Sequence, residues 1–251
     1  MIPPPAQNYL TAVDQRLPGF ADGVHLVGSA ALGAWRAGVS DVDLIVLTSR
    51  TPTPADLTAI AEVHASVPGV DGVYLEPALA RTFPSANEIA PFVVGGELKT
   101  GQPCGELTPV VWLILRRYGV KLRGPDIDPP VSAEALRHYN LDNLRDYWRA
   151  NAVTFPAALA DVPDGQVLDA ETVTWFVHGP ARLHYTLATG DIIAKPAAGA
   201  YLAALFPEYA DLAQRATAWR AGDGGEFLKA DLLAAGESVL AVADDAWHRF
   251  G

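Results

Sequence analysis

The sequence lacks the features that would link it to an oxidising compartment or to a membrane. Its 251 residues include a single cysteine, Cys104, which cannot form an internal disulfide. No apolar run reaches the length that a membrane-spanning helix needs. The first residues, MIPPPAQNYL, lack the basic and apolar segments of a secretory signal. These absences predict a cytoplasmic protein without a membrane partner.

Positive charge is also scarce. The chain has 18 Lys and Arg residues against 29 Asp and Glu residues, a net charge of -11, and no basic cluster stands out. Such a surface repels a phosphate backbone and gives up the counterion release that drives most nucleic-acid binding, so we expect no nucleic-acid partner. An acidic protein attracts cationic partners, although excess acid also serves solubility alone.

The spacing of apolar residues divides the chain into two domains. Residues 1–130 alternate short apolar strands with helices, which predicts an α/β domain, an α+β sheet with flanking helices. Residues 131–251 have helical periodicity, which predicts an all-α helical bundle. The stiff segment DPPVS, at residues 128–132, marks the boundary.

Individual elements follow from local signals. The first domain is predicted to contain strands at 24–27, 42–47, 72–75 and 120–122, and helices at 30–37, from Pro54 onward and at 108–118. Scattered Gly and Pro between residues 77 and 105 predict loop or an edge hairpin. The second domain is predicted to contain helices at 133–150, 170–189, 195–205, 209–221 and 227–250.

One segment, HLVGSAALGAWRAGVSDVDLIVLTSR from His25 to Arg50, places two acids where a buried strand begins. Asp41 and Asp43 are two residues apart, so they point to the same face, roughly 7 Å apart along the strand. Neighbouring carboxylates repel each other unless a cation lies between them. Carboxylate oxygens are ligands that Mg²⁺ accepts, and the pair therefore predicts a metal site.

The preceding strand ends at Gly28 and Ser29. Glycine allows close approach of the backbone to a phosphate, Ser29 adds a hydroxyl, and N–H groups at a following helix start point toward an anion. A lone Gly-Ser is also typical of a turn, and a lone Asp-x-Asp of a cap. Together, with a strand on each side, they predict a phosphate cradle beside a metal site.

The segment GSAALGAWRAGVSDVDLIV resembles the signature of the nucleotidyltransferase superfamily, which has the DNA polymerase β-like fold. The matching positions are Gly28, Ser29, Gly33, Ser40, Asp41, Asp43, Leu44 and Val46. The resemblance implies that Gly28, Ser29 and Ser40 bind a nucleotide and that Asp41 and Asp43 hold Mg²⁺.

A second stretch, GPARLHYTLATGDIIAKPAAGAYLAALFPEY, resembles the C-terminal domain of the aminoglycoside 3''-type (streptomycin/spectinomycin) adenylyltransferases. This resemblance implies that Arg182 and Lys195 reach the nucleotide phosphates, although both charges also suit solvated helix positions. YGVKLRGPD is similar to the family's link between domains, whereas residues 150–178 match poorly. We expect the active site in the cleft between the domains, a usual location for ligands.

The implied reaction is attack by an acceptor hydroxyl on the α-phosphate of ATP, which yields an AMP ester and pyrophosphate. A third carboxylate must come from a nearby strand. We predict Glu76, at the end of DGVYLE, as the general base, because its position corresponds to that of the family's base. A glutamate at this position is also typical of a solvated strand end. Glu88 and Glu97 are weaker candidates in a loop context.

For the acceptor, the resemblance implies acidic residues at the start of the helix that carries Arg182. Asp169 and Glu171 lie there, although both also suit helix capping. We expect a cationic small-molecule acceptor, with an aminoglycoside antibiotic as the leading candidate. Another acceptor, such as a lincosamide or a protein side chain, and a non-catalytic nucleotide-binding regulator of the same fold remain alternatives. The sequence does not indicate an oligomeric state.

Overall fold

The protein is described here by a computed structural model that covers residues 2–82 and 87–251. It divides into two compact units, one ending at Ser132 and the other beginning at Ala133. In the described residues, no helix combines the length and the apolar character that crossing a membrane requires.

The first unit is a mixed sheet with helices around it. Its helices are α1 (Pro4–Arg16), α2 (Gly28–Ala31), α3 (Pro54–Ser66) and α4 (Pro109–Tyr118), with a 3₁₀ turn at Leu79–Arg81. Its strands are β1 (Ala21–Leu26), β2 (Val42–Thr48), β3 (Val70–Leu75), β4 (Phe92–Val94), β5 (Glu97–Lys99) and β6 (Val120–Arg123). The strands form one sheet in the order β5-β4-β3-β2-β1-β6.

The direction of the central strands decides which loops share an edge. β2 and β3 run parallel, with Asp43 opposite Asp71 and Leu47 opposite Leu75. All other neighbouring strands in this sheet pair antiparallel. The first residues of β2 and β3 therefore lie together at one edge of the sheet, and their last residues lie together at the other.

Local signals account for most of these elements. Thr53 and Asp56 form a capping box at the start of α3, and Pro54 occupies its first position, as the sequence indicates. The hairpin of β4 and β5 fills part of the region predicted as loop or edge hairpin, of which residues 83–86 lie outside the described residues. The predicted helix at 30–37 is wrong in extent, because α2 ends at Ala31.

A buried polar network joins α1 and α3 to the sheet. The hydroxyls of Tyr9 and Tyr74 are 2.9 Å apart, and His64 Nε2 lies 2.8 Å from the Tyr74 hydroxyl. His64 Nδ1 bonds to the Val70 carbonyl at 2.7 Å. Burial lowers the pKa of His64, so the imidazole stays neutral and all three polar side chains are satisfied inside the core.

The second unit is a helical bundle with one short β-ribbon. Its helices are α5 (Ala133–Asp142), α6 (Ala150–Ala158), α7 (Ala170–Thr189), α8 (Lys195–Leu205), α9 (Ala210–Ala221) and α10 (Lys229–Phe250), with a 3₁₀ turn at Pro207–Tyr209. The ribbon pairs β7 (Val167–Leu168) with β8 (Phe227–Leu228). Helix α7 ends at Gly190, whose φ of 68° is the left-handed conformation that favours glycine.

The predicted helix at 133–150 is wrong in detail. A π-helical segment, Asn143–Arg149, separates α5 from α6, and the helical path runs on to Ala158. The mixed sheet of the first unit and the helices of the second confirm the predicted fold class.

Candidate active site

Three aspartates meet at the edge where β2 and β3 begin. Asp41 immediately precedes β2, and Asp43 is the second residue of that strand. Asp71, the second residue of β3, is the register partner of Asp43. Asp43 and Asp71 are half-buried and Asp41 is exposed, so this acidic edge faces solvent at one side.

Gly28 packs directly on Asp43. The Val27 N–H donates to the Asp43 carbonyl at 2.9 Å, which continues the ladder between β1 and β2. Gly28 has a φ of 57°, and a Cβ atom added to it would lie 1.8 Å from Asp43 Oδ2. Only glycine allows both this backbone conformation and this contact, so the Gly-Ser turn fixes the position of the carboxylate.

The acids at this edge disfavour one another's charge. Loss of hydration raises the pKa of Asp71, the charge of Asp41 raises it further, and the Gly95 N–H, 3.2 Å from Asp71 Oδ2, opposes these effects. Loss of hydration also raises the pKa of Glu106, and the charge of Asp71 adds to that rise. A bound cation would relieve this repulsion.

The residues present fit a magnesium ion. Among the described residues, no three His, Cys, Asp or Glu side chains already stand as a metal-binding group. Mg²⁺ does not need one, because it binds through one or two carboxylates and completes its shell with water and substrate phosphates. Asp41 and Asp43 would supply those carboxylates, and Asp71 lies beside Asp43 at the same edge.

The two serines of the motif flank this edge. Ser29 is the second residue of the single-turn helix α2, and its carbonyl accepts the Ala34 N–H at 2.9 Å. Ser40 immediately precedes Asp41, and its N–H donates to the Arg36 carbonyl at 2.9 Å. Both are half-buried, so backbone and side chain remain partly open to solvent beside the acids.

The structure places Glu76, the predicted general base, away from the acidic edge. Glu76 follows the last residue of β3, whereas the acidic edge lies at the start of β2 and β3. The five residues from Asp71 to Glu76 span roughly 16 Å of extended strand. Glu76 is exposed and accepts a hydrogen bond from Thr51 Oγ1 at 2.6 Å, so it is a solvated strand-end acid.

Glu97 and Glu88, the two weaker candidates for the general base, lie in different local environments. Glu97 begins β5 and is exposed, and its pairing with Lys99 lowers the pKa of its carboxyl. Glu88 lies outside the named strands, and its carbonyl accepts the Cys104 N–H at 2.8 Å. Neither contact involves Asp41, Asp43 or Asp71.

Sequence reasoning missed Asp71 and Glu106. The signal for Asp71 was present: the segment VDGVYL has an acid at its start, as VDLIVL does. If the two strands run parallel, their starting acids lie side by side, and Asp71 rather than Glu76 is the neighbour of Asp43. Glu106 lies between Cys104 and α4, outside regular structure, and no periodic pattern marks it.

In the second unit, Arg182 and Lys195 are both half-buried. Arg182 lies in α7, and its Nε donates to the Ile193 carbonyl at 3.0 Å, which ties α7 to the loop before α8. Lys195 is the first residue of α8 and is followed by Pro196. The predicted helix start at Lys195 is therefore observed, while the phosphate-binding role of both residues stays a prediction.

The two acids predicted for the acceptor differ in their bonding. Asp169 is the N-cap of α7 and accepts hydrogen bonds from the N–H groups of Glu171 and Thr172. The bonds from Thr172 hold the pKa of Asp169 below its ordinary value. Glu171, in the first turn of α7, is exposed. Both carboxylate oxygens of Asp169 are thus already engaged in capping.

The contact between Gly28 and Asp43 leads to a testable prediction. In Gly28→Ala the new methyl group displaces the Asp43 carboxylate, and a displacement near 1 Å costs on the order of 10²-fold in rate. The matched control is Gly33→Ala, because Gly33 also has a positive φ, 68°, but has no heavy atom within 4 Å of the added Cβ. We expect both variants to carry similar backbone strain and only Gly28→Ala to lose activity. Equal activities, measured as nucleotide turnover, would contradict this role.

Comparison with known proteins agrees with this geometry. Residues 7–71 match the family described as nucleotidyltransferase domain, a segment that includes Gly28, Asp41, Asp43 and Asp71. The chain therefore contains a nucleotidyltransferase domain, which confirms the prediction drawn from the motif. A search of curated proteins gave no match.

Among solved structures, the fold matches that of the spectinomycin adenyltransferase AAD(9) from Enterococcus faecialis, solved with ATP and spectinomycin. The TM-score is 0.69 at 14% sequence identity, over 96% of this chain and 98% of the other. This similarity extends the shared fold over nearly the whole chain and confirms the resemblance to the aminoglycoside adenylyltransferases at the level of fold.

Proposed function

We propose that this chain, which carries a nucleotidyltransferase domain, is an ATP- and Mg²⁺-dependent adenylyltransferase that transfers AMP to a hydroxyl of a cationic small molecule. The observation that carries the proposal is the register of β2 and β3, which brings Asp41, Asp43 and Asp71 to one edge beside Gly28. Three carboxylates beside a phosphate-binding turn suit phosphoryl chemistry, in which positioning and charge stabilisation supply most of the catalysis.

In this proposal, the first unit holds the reacting phosphate. Gly28 and Ser29 offer backbone N–H groups and a hydroxyl to the phosphates, and Ser40 adds a second hydroxyl. Asp41 and Asp43 hold Mg²⁺, which when bound orients the triphosphate and offsets charge on the leaving pyrophosphate. Arg182 and Lys195 contribute charge-assisted hydrogen bonds to the nucleotide phosphates.

We assign the general-base role to Asp71. The acceptor oxygen forms a bond to the α-phosphorus of ATP, the bond from that phosphorus to the bridging oxygen breaks, and pyrophosphate leaves. Asp71 takes the proton of the acceptor hydroxyl. The raised pKa of Asp71 suits this task, because a carboxylate with a higher pKa binds a proton more readily than an ordinary aspartate.

The acceptor is proposed from charge and from the fold neighbour. That neighbour was solved with spectinomycin, and this chain has a net charge of -11, which favours a cationic acceptor. Glu171 is the stronger of the two predicted acceptor residues, because Asp169 uses both carboxylate oxygens for capping. An aminoglycoside is the leading acceptor class.

A pyrophosphate-release assay tests this function. The protein is incubated with ATP and Mg²⁺ against a panel of aminoglycosides, against lincosamides and without acceptor. We expect release that depends on an aminoglycoside and on Mg²⁺. Pyrophosphate release only with a lincosamide would show that the acceptor is a lincosamide and not an aminoglycoside. ATP binding without pyrophosphate release in any arm would support a non-catalytic nucleotide-binding regulator instead.

A further inference from the structure

Three helices of the second unit meet at one point. His178 of α7 has its Nε2 3.2 Å from the Thr217 Oγ1 of α9. That hydroxyl donates to the Ala213 carbonyl at 2.8 Å, so it accepts from the imidazole. A Cβ on Gly199 of α8 would lie 2.1 Å from Thr217 Oγ1 and 3.3 Å from His178 Nε2. The three positions are therefore in direct contact.

Each helix carries a cation one turn away from this contact point. Arg182 follows His178 by four residues, Lys195 precedes Gly199 by four, and Arg220 follows Thr217 by three. Residues three or four apart lie on the same helix face, and one turn advances about 5 Å along the axis.

On all three helices, the cation is displaced from the contact point in the same direction. Short connections, residues 190–194 and 206–209, join α7 to α8 and α8 to α9, and helices joined in this manner run antiparallel. The C-terminal direction of α7 and α9 is therefore the N-terminal direction of α8. Moving from the contact point to the cation follows this common direction in all three helices. All three cations lie on the same side of the contact point, and all are half-buried.

The electrostatics of His178 agree with this placement. Burial lowers the pKa of His178 to about 4, and the positive charges of Arg220, Lys195 and Arg182 contribute to the shift. The imidazole is therefore neutral at pH 7 and adds no fourth charge. Three cations that all act on one side chain concentrate positive potential at this point, and positive potential attracts a polyanion.

We propose that Arg220 is a third phosphate-binding cation for the ATP triphosphate, acting together with Arg182 and Lys195. The inference rests on the proposed function, since it assumes that Arg182 and Lys195 bind the nucleotide. A guanidinium group suits this role because its planar fork donates two parallel hydrogen bonds to phosphate oxygens. Sequence reasoning did not find Arg220, because its partners are brought near only by the packing of the three helices.

The test measures ATP–Mg²⁺ and adenosine affinity by calorimetry in the full chain. Arg220→Gln should weaken ATP–Mg²⁺ binding by about 10- to 100-fold, the effect of losing a charge-assisted contact, and leave adenosine binding unchanged. Arg220→Lys, which keeps the charge, should lie between Arg220→Gln and the wild type. The matched control is Arg215→Gln on the same helix, whose charge pairs with Asp211 and Asp231 and should not affect ATP.

A second measurement needs no variant. Modification of arginine residues by phenylglyoxal, mapped by mass spectrometry, should slow at Arg220 and Arg182 when ATP–Mg²⁺ is added and stay unchanged at Arg145, which is exposed and paired with Asp142 and Asp146. Protection at Arg182 without protection at Arg220, or wild-type ATP affinity in Arg220→Gln beside weakened binding in Arg182→Ala, would overturn this inference and leave the proposed function standing. Absence of ATP binding in the wild type would overturn both.

Discussion

Replacing Asp71 by asparagine is expected to lower kcat by about 10²–10⁴-fold, because asparagine cannot accept the proton of the acceptor hydroxyl. ATP affinity should change little, since a general base acts mainly in the transition state. The measurement is steady-state turnover together with an ATP titration of the same variant. If ATP–Mg²⁺ affinity falls together with turnover, Asp71 serves as a metal ligand rather than as the base.

Glu76→Gln is the matched control for this prediction. Both substitutions remove one carboxylate from β3 or its end, but Glu76 lies at the opposite edge of the sheet and bonds to Thr51. We expect turnover and ATP affinity of Glu76→Gln to equal those of the wild type. A large loss of turnover in Glu76→Gln with a normal rate in Asp71→Asn would return the base to the position indicated by the family resemblance.

The second large effect is expected at Asp41 and Asp43. Asp41→Asn and Asp43→Asn should each abolish turnover, because each removes an oxygen ligand and a charge that hold Mg²⁺. The fold should persist, and the protein without ligand should be slightly more stable than the wild type, since the substitutions relieve carboxylate repulsion. Thermal unfolding and pyrophosphate release, measured on the same preparations, separate the two effects.

Asp41→Asn is also expected to change the pKa of Asp71. The charge of Asp41 contributes to the raised pKa of Asp71, so Asp41→Asn should move the titration of the Asp71 carboxyl to lower pH. An NMR titration of the carboxyl carbon measures this directly. An unchanged Asp71 titration would show that the two aspartates do not interact, and normal turnover in either variant would contradict the metal assignment.

The sequence was sufficient to predict those features that depend on residues close together in the chain. Thr53 before Pro54, and Gly190 after the periodic run of α7, are signals within a few residues of each other, and the helices they bound are present. The Asp-x-Asp and Gly-Ser pairs also lie within one short segment. Their contact, between Gly28 and Asp43, needs only two adjacent strands.

The sequence was insufficient where the direction or packing of distant elements decides the outcome. Asp71 and Glu76 flank the strand predicted at 72–75, and only the parallel pairing of β2 and β3 tells which end lies beside Asp43. The π-helical segment Asn143–Arg149 has the apolar spacing of an ordinary helix, so a 3.6-residue periodicity does not reveal it.

Mass spectrometry of the acceptor after incubation with the protein, ATP and Mg²⁺ is the most direct test of adenylyl transfer at the acidic edge. We expect an aminoglycoside product heavier by one adenylyl group with wild-type protein and with Glu76→Gln, and no product with Asp43→Asn or Asp71→Asn. A product heavier by a phosphate group, or an adenylylated product that forms equally well with Asp43→Asn, would contradict the assignment of the reaction to Asp41, Asp43 and Asp71.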